Sequence, residues 1–411
     1  MLNPAAPFRA ALRLRDARLL LAGLAASEAG DWLYNLALLA LVYDRTGSSA
    51  WLGIATAARM LPLVALGPLG GVLADHLDRR ALMIGADLVR CVCMAALAVV
   101  AATGAPILLA PALAALSAAA GVAYAPCVVA VVPRLVSDAD LPAVNAARIG
   151  ITHLCVVGGP VLGAALLLLG SAFAAFAVNG VTFLAGAAVV AALPREALRP
   201  PSVAAGPHAG LRAELLGGWH ALRDYPDSLP LVCAEVVASG AYGALTVLLV
   251  LVSERLGLGT AGFGYLLAAL GAGGVLAAGV ADRAATSAQP RFALALAVLA
   301  LAAPLPVIAV AGWLPGVLVL VAVIGAASLV SEVVADTALQ RSLDPAVFAR
   351  AYGLVLPAAL AGIAAGALLA PPCVSLVGLD GTLVLVGTIA AACGGAMLAA
   401  PHEPAALTTT A

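Results

Sequence analysis

Six carboxylates stand where a carboxylate is hard to accommodate. Glu28, Asp31, Asp87, Glu235, Glu332 and Asp336 lie inside or at the ends of long apolar runs, and Arg59 and Arg90 do the same with opposite sign. An acid near the centre of a membrane helix costs about 2.5–3.5 kcal/mol, so by default it faces a cavity, a pathway or a partner. The chemistry open to such a set is proton binding and the recognition of solutes. No nucleophile motif or phosphate loop accompanies it, and the five histidines and seven cysteines show neither metal-ligand nor CxxC spacing. The chain is therefore not read as an enzyme, and no cofactor or metal is expected.

Glu28 and Asp31 are three residues apart and share one helix face. At 1.5 Å per residue they lie about 21 and 16 Å from the outer end of their run, with Arg59 about 12 Å below the outer end of the next. An Asp31–Arg59 pair is expected, either fixing the packing or holding Asp31 charged. Two carboxylates one turn apart in a poorly solvated cavity do not both ionise easily. Glu28 is accordingly the expected proton carrier. Glu235 lies about two turns inside its run and is read as a substrate or proton site, or as half of a pair whose partner the sequence does not identify. Glu332 and Asp336, one turn apart near Arg341 and Arg350, read as a solvated or paired helix end.

Between two further apolar runs stands Gly70-Gly71-Val72-Leu73-Ala74-Asp75-His76-Leu77-Asp78-Arg79-Arg80. So short a connection makes the flanking helices an antiparallel hairpin, because backbone within lipid must satisfy its own hydrogen bonds. Paired glycines and clustered charges suggest a packed joint rather than a tether. Gly71-x-x-x-Asp75-x-x-x-Arg79-Arg80 resembles the loop between the second and third helices of the major facilitator superfamily. Asp78 stands where many members have glycine. With Arg59-x-x-Pro62 and Asp87-x-x-Arg90, the pattern resembles the branch containing enterobactin and macrolide exporters. The resemblance implies that Gly71, Asp75, Asp78, Arg79, Arg80, Asp87 and Arg90 form a cytoplasmic gate, with Asp75 facing the N-terminal end of the eleventh helix. Gly158-Gly159-Pro160-x-x-Gly163 resembles the antiporter motif of the same superfamily, with Gly159, Pro160 and Gly163 as packing or bending positions. Tight packing through small residues is the alternative, as for Gly362-x-x-x-Gly366. The superfamily's arginine in the fourth helix is missing here.

Composition sets the frame for these residues. The chain has 64% hydrophobic and 10% charged residues and a mean hydropathy of +1.11, where a soluble chain carries about 25% charged. The net charge of −1 argues against a nucleic-acid partner. Apolar runs place helices near 18–42, 51–74, 81–102, 107–132, 143–169, 172–193, 229–252, 262–281, 291–311, 315–338, 351–371 and 379–400. These twelve transmembrane spans define an all-α membrane protein. Its halves are residues 1–193 and 229–411, joined by a linker over 194–228 that ends in a short interfacial helix.

Arginine, the only basic residue besides histidine, sets the orientation. Sixteen fall in segments that face the cytoplasm if the N-terminus does, against two, Arg45 and Arg255, on the other side. Both termini are expected inside. The halves also repeat at one offset of 203 residues: Gly70-Gly71-Val72-Leu73-Ala74 returns as Gly273-Gly274-Val275-Leu276-Ala277, and Pro142-Ala143-Val144 as Pro345-Ala346-Val347. An even helix count per unit keeps the units parallel, and two parallel six-helix halves are the arrangement the superfamily implies, with the solute path between them. The expectation is a monomeric, proton-coupled exporter of hydrophobic or amphipathic small molecules in a bacterial inner membrane. Importer, facilitator and non-transporting receptor or scaffold stand as alternatives. Trp32, Tyr34, Tyr124 and Tyr242 lie deep enough to line a cavity.

Overall fold

The computed structural model describes residues 12–137, most of 140–155, 172–199, 223, 225, 228–287, 289–342 and 345–399. Within them the chain is helical, with no strand. The first three helices are α1 (Arg15–Thr46), α2 (Ser49–His76) and α3 (Arg79–Ala102). α4 (Leu109–Gly121) and α5 (Tyr124–Leu135) make one interrupted span, and α6 (Ala172–Ala192) follows. The second half has α7 (Ser228–Arg255), α8 (Gly259–Ala285), the broken pair α9 (Pro290–Ala302) and α10 (Pro304–Val310), α11 (Leu314–Ser342) and α12 (Pro345–Ala399).

Nine stretches among the described residues are long and apolar enough to cross a membrane. The last, Leu354–Ala399, is two helices meeting at Gly378, whose φ of 75° only glycine adopts readily. The helix expected to end near residue 371 runs on through Pro371 and Pro372 to that glycine. α1 has 32 residues, about 48 Å, and it ends at Gly47 in the left-handed region with its N–H on the Tyr43 carbonyl. The span expected at 143–169 is described only in part, so the count of twelve is not read off directly. Gly159, Pro160, Gly163 and the interfacial helix lie outside the described residues.

The segment expected as a loop after Ala74 is shorter still. α2 continues to His76, leaving only Leu77 and Asp78 between it and α3. Asp78 caps α3: its carboxylate accepts from Ala81 N–H at 3.1 Å. Gly71, expected in the joint, has open space where a Cβ would stand, and it is Gly70 that packs, against the Val122 backbone.

The core is asymmetric along the bundle. One hydrophobic cluster runs the length of the second half, from Leu231 and Leu339 to Leu248 and Leu305, and takes in the first half only toward the end that carries Thr46 and Ser49, through Tyr34, Leu38, Leu52, Leu97 and Phe176. Gly53 of α2 lies so close to the Ala367 carbonyl of α12 that a Cβ has no room. Toward the Asp78 end, Leu21, Met83, Val131, Val190 and Leu193 form a separate cluster confined to the first half. Within the second half, Gly362 and Gly366 of α12 sit against the α7 backbone at Val236 and Gly240, the close approach expected of that motif.

Arginines tie helix ends together. Arg45, ending α1, donates to the Val100 carbonyl at 2.6 Å and to Thr103, closing the end of α3. Arg255, ending α7, donates to the Ile308 carbonyl at 2.6 Å and to Asp380, closing the end of α10. The first helix of each half thus caps the third in the same way, a repeat in space of the repeat in sequence. A guanidinium there meets the negative end of a helix dipole.

Candidate functional site: two groups of buried acids

The first group is built by α1, α3, α6 and the helical residues before 155. Arg90 Nη2 donates to Asp31 Oδ2 at 2.5 Å, and its guanidinium lies 4.0 Å from the Phe183 ring centroid. The expected Asp31–Arg59 pair is not formed. Arg59 Nε instead donates to the Tyr34 hydroxyl at 2.7 Å, with its guanidinium 4.8 Å from that ring's centroid. The error was one of helix geometry. Asp31 and Arg59 are near in depth, but α1 turns Asp31 toward α3 and Tyr34, three residues on, toward α2.

Glu28 accepts from the Thr152 hydroxyl at 3.2 Å. Cys155 meets the carbonyl of Ala25, so the segment before 155 packs along this face of α1. Arg90 and Arg148 lie close enough for their charges to act on Glu28, with Asp31 opposing them. Arg148 belongs to this network, and its Nε is buried without a hydrogen bond.

Asp87 completes the group and departs furthest from expectation. It was assigned with Arg90 to the charged joint near Asp75, Arg79 and Arg80. It is instead fully buried (0% exposed) one turn before Arg90, against Gly186 of α6. A Cβ on Gly186 would stand 2.8 Å from its Oδ2. Tyr124, at the start of α5, interacts with it electrostatically, but neither buried oxygen accepts a bond of ordinary geometry.

The joint itself keeps Asp78, Arg79 and Arg80. Arg79, 4% exposed, donates to the Ala74 carbonyl at 2.9 Å. Arg80 donates to Leu193 at 3.1 Å and to Ala191, holding the end of α6. Asp75 occupies the last turn of α2; its side chain, like those at the start of α12, lies outside the described residues.

The second group lies in the other half. A cavity of about 270 Å³ is bounded by α7, α8, α11 and α12, with Trp32 of α1 on its wall. Glu235 and Glu332 both line it, and their charges act on one another. Reading Glu332 as a helix end was wrong: it faces inward, ten residues before α11 stops. Sequence gave Glu235 no partner because its neighbour is another acid. Two of the four deep aromatics, Trp32 and Tyr242, do line this cavity.

Charged side chains held inside an apolar helical bundle by helix faces rather than by loops are what a solute or ion path through a membrane protein requires. Comparison with known proteins agrees. The family model described as Major Facilitator Superfamily matches residues 20–367, and the chain belongs to that family. It is 38% identical over 68 residues to a macrolide efflux protein A from Streptococcus pyogenes, covering 16% of this chain and 17% of that one. It is 33% identical over 175 residues to a putative bacilysin exporter from Bacillus amyloliquefaciens, covering 42% of each. The matched stretch thus spans less than half of either curated relative. The nucleoside transporter NupG superposes with a TM-score of 0.73 over 93% of this chain and 99% of that one, at 13% identity, a likeness of fold.

Proposed function

We propose that the chain is a proton-coupled exporter of hydrophobic or amphipathic small molecules. It sits in a bacterial inner membrane with both termini cytoplasmic and works as a monomer by alternating access between halves 1–193 and 229–411. The observation that carries this reading is the Asp31–Arg90 pair at 2.5 Å with Glu28 and Asp87 beside it. A half-buried pair flanked by two further carboxylates is a poor way to stabilise a helix bundle. It suits a site whose proton content changes as the cavity switches sides.

In this scheme Arg90 holds Asp31 charged, and Glu28, hydrogen-bonded to the neutral Thr152 hydroxyl with Arg90 and Arg148 acting on it from further off, is the group that takes up and releases the proton. The core shared near Ser49 and divided near Asp78 supports an outer gate that is shut and an inner gate that is open. Asp78, Arg79 and Arg80 hold helix ends at the inner gate. Export as the direction rests on the macrolide and bacilysin relatives.

Everted membrane vesicles containing the protein test the reading. An interior-acid pH gradient should drive accumulation of a labelled macrolide above the external level, and collapsing the gradient should release it. Equilibration to the external level with no response to the gradient would contradict proton coupling.

A further inference from the structure

The cavity between α7, α8, α11 and α12 has an unusual lining. Glu235 and Glu332 put two carboxylates into it, and Asp336, one turn beyond Glu332, adds its charge to both. Among the described lining residues there is no arginine; the positive charge that reaches this region is Arg59, acting on Tyr242 from α2. One Glu235 oxygen is met by Ser239 at 3.4 Å, and the other is buried with no hydrogen bond. Ser331 is 1% exposed, lines the cavity, and its hydroxyl also has no partner; the Ser328 hydroxyl is in the same position. Helical serines commonly satisfy themselves on the carbonyl one turn back. Buried polar atoms left without partners around a void call for an occupant.

The rest of the wall states what kind of occupant. Trp32, Tyr242, Leu356, Leu360 and Ile363 give an apolar and aromatic surface beside the carboxylates. A volume of about 270 Å³ has room for several waters or for a small organic group. Water alone fits poorly against so apolar a lining, and an anion is excluded by the acids. A cation with an apolar body meets every requirement. Its charge is taken by Glu235 and Glu332, its flank by the faces of Trp32 and Tyr242, and any N–H it carries by the serine hydroxyls.

We infer that Glu235, Glu332, Ser331 and Trp32 form a binding pocket for small lipophilic organic cations, amines and quaternary ammonium groups, within the second half of the transporter. The inference rests on the transporter reading above and names the solute class that this pocket takes. It also separates two tasks: the first-half acids handle the proton, and the second-half acids hold the charged end of the cargo.

Trp32 supplies its own readout. The full chain in lipid nanodiscs, with Trp51, Trp219 and Trp313 replaced by Phe, leaves Trp32 as the sole emitter. Titration with phenyltrimethylammonium should change its emission saturably, and the uncharged isostere tert-butylbenzene should bind at least tenfold more weakly. Glu235→Gln and Glu332→Gln should each weaken the cation at least tenfold, with Glu235→Asp closer to the parent. Equal binding of the two probes, no saturable change with the cation, or undiminished binding by folded Gln variants would overturn the proposal. If a Gln variant does not fold by size exclusion, the comparison of charged and neutral probes on the parent decides. Gradient-driven macrolide accumulation by a protein that ignores phenyltrimethylammonium would refute this pocket while leaving the exporter reading intact.

Discussion

Arg90 of α3 reaches across to α1 and places its Nη2 2.5 Å from Asp31 Oδ2, while its guanidinium covers Phe183 of α6. Three helices therefore converge on one charge. Arg90 Nε and Asp31 Oδ1 are buried and make no hydrogen bond, so the pair is only half satisfied. Such a pair breaks and re-forms more readily than a bidentate one.

The pair is measurable as a coupling energy. Removing one partner of a buried ion pair costs about 3–5 kcal/mol. The Asp31 side chain is 32% exposed, so Asp31→Asn should fall at about 3 kcal/mol or below. Arg90→Gln should cost at least as much, and the double variant less than the sum of the singles. Thermal unfolding of the three proteins gives the cycle. Additive losses would mean that the contact contributes nothing.

Asp87 offers a packing test. Gly186→Ala places a methyl group 2.8 Å from Asp87 Oδ2 and should destabilise by about 1–3 kcal/mol. Asp87→Ala removes the clashing carboxylate, so the double variant should recover most of that loss. No recovery would show that Gly186 matters for some other contact.

Arg45→Ala and Arg255→Ala each remove a guanidinium from the carbonyl end of the third helix of its half. Each should lower stability by about 1 kcal/mol, as a cation at a helix C-terminus contributes up to about that much. Equal losses would reflect the repeat. A loss confined to one site would show that the two ends are not equivalent.

The all-helical, membrane-spanning character was plain in the sequence because apolar runs of membrane length have few other readings. Which faces meet was not. Asp31 and Arg59 match in depth, and depth is all that residue counting along separate helices provides. Their azimuth depends on how α1, α2 and α3 pack, which the alanine-rich faces of this chain do not announce. The family resemblance likewise groups Asp87 and Arg90 with Arg79 and Arg80, and it carries no information on the azimuth that turns them into the bundle. One signal for Asp87 was available: Gly186 and Gly180 put gaps into α6 where α3 must approach. The Glu235–Glu332 association had no signal, since two acids ninety-seven residues apart give no reason to be paired.

Orientation is checked separately from the chemistry. Reporter fusions after residues 193, 258 and 403 should read inside, outside and inside, following the arginine asymmetry. A reversed pattern would move the Asp78–Arg80 joint to the outer face and invert the assignment of the open gate.

The central claim is that Glu28 carries the coupling proton. It accepts a hydrogen bond from the uncharged Thr152 hydroxyl, whereas Asp31 is held by Arg90, so neutralising Glu28 breaks no direct ion pair among the described residues. The most direct measurement compares Glu28→Gln with the parent in everted vesicles, by gradient-driven accumulation and by solute exchange without a gradient. The account predicts that Glu28→Gln loses accumulation above the external level while exchange continues at a substantial fraction of the parent rate. Full gradient-driven accumulation by Glu28→Gln would contradict it.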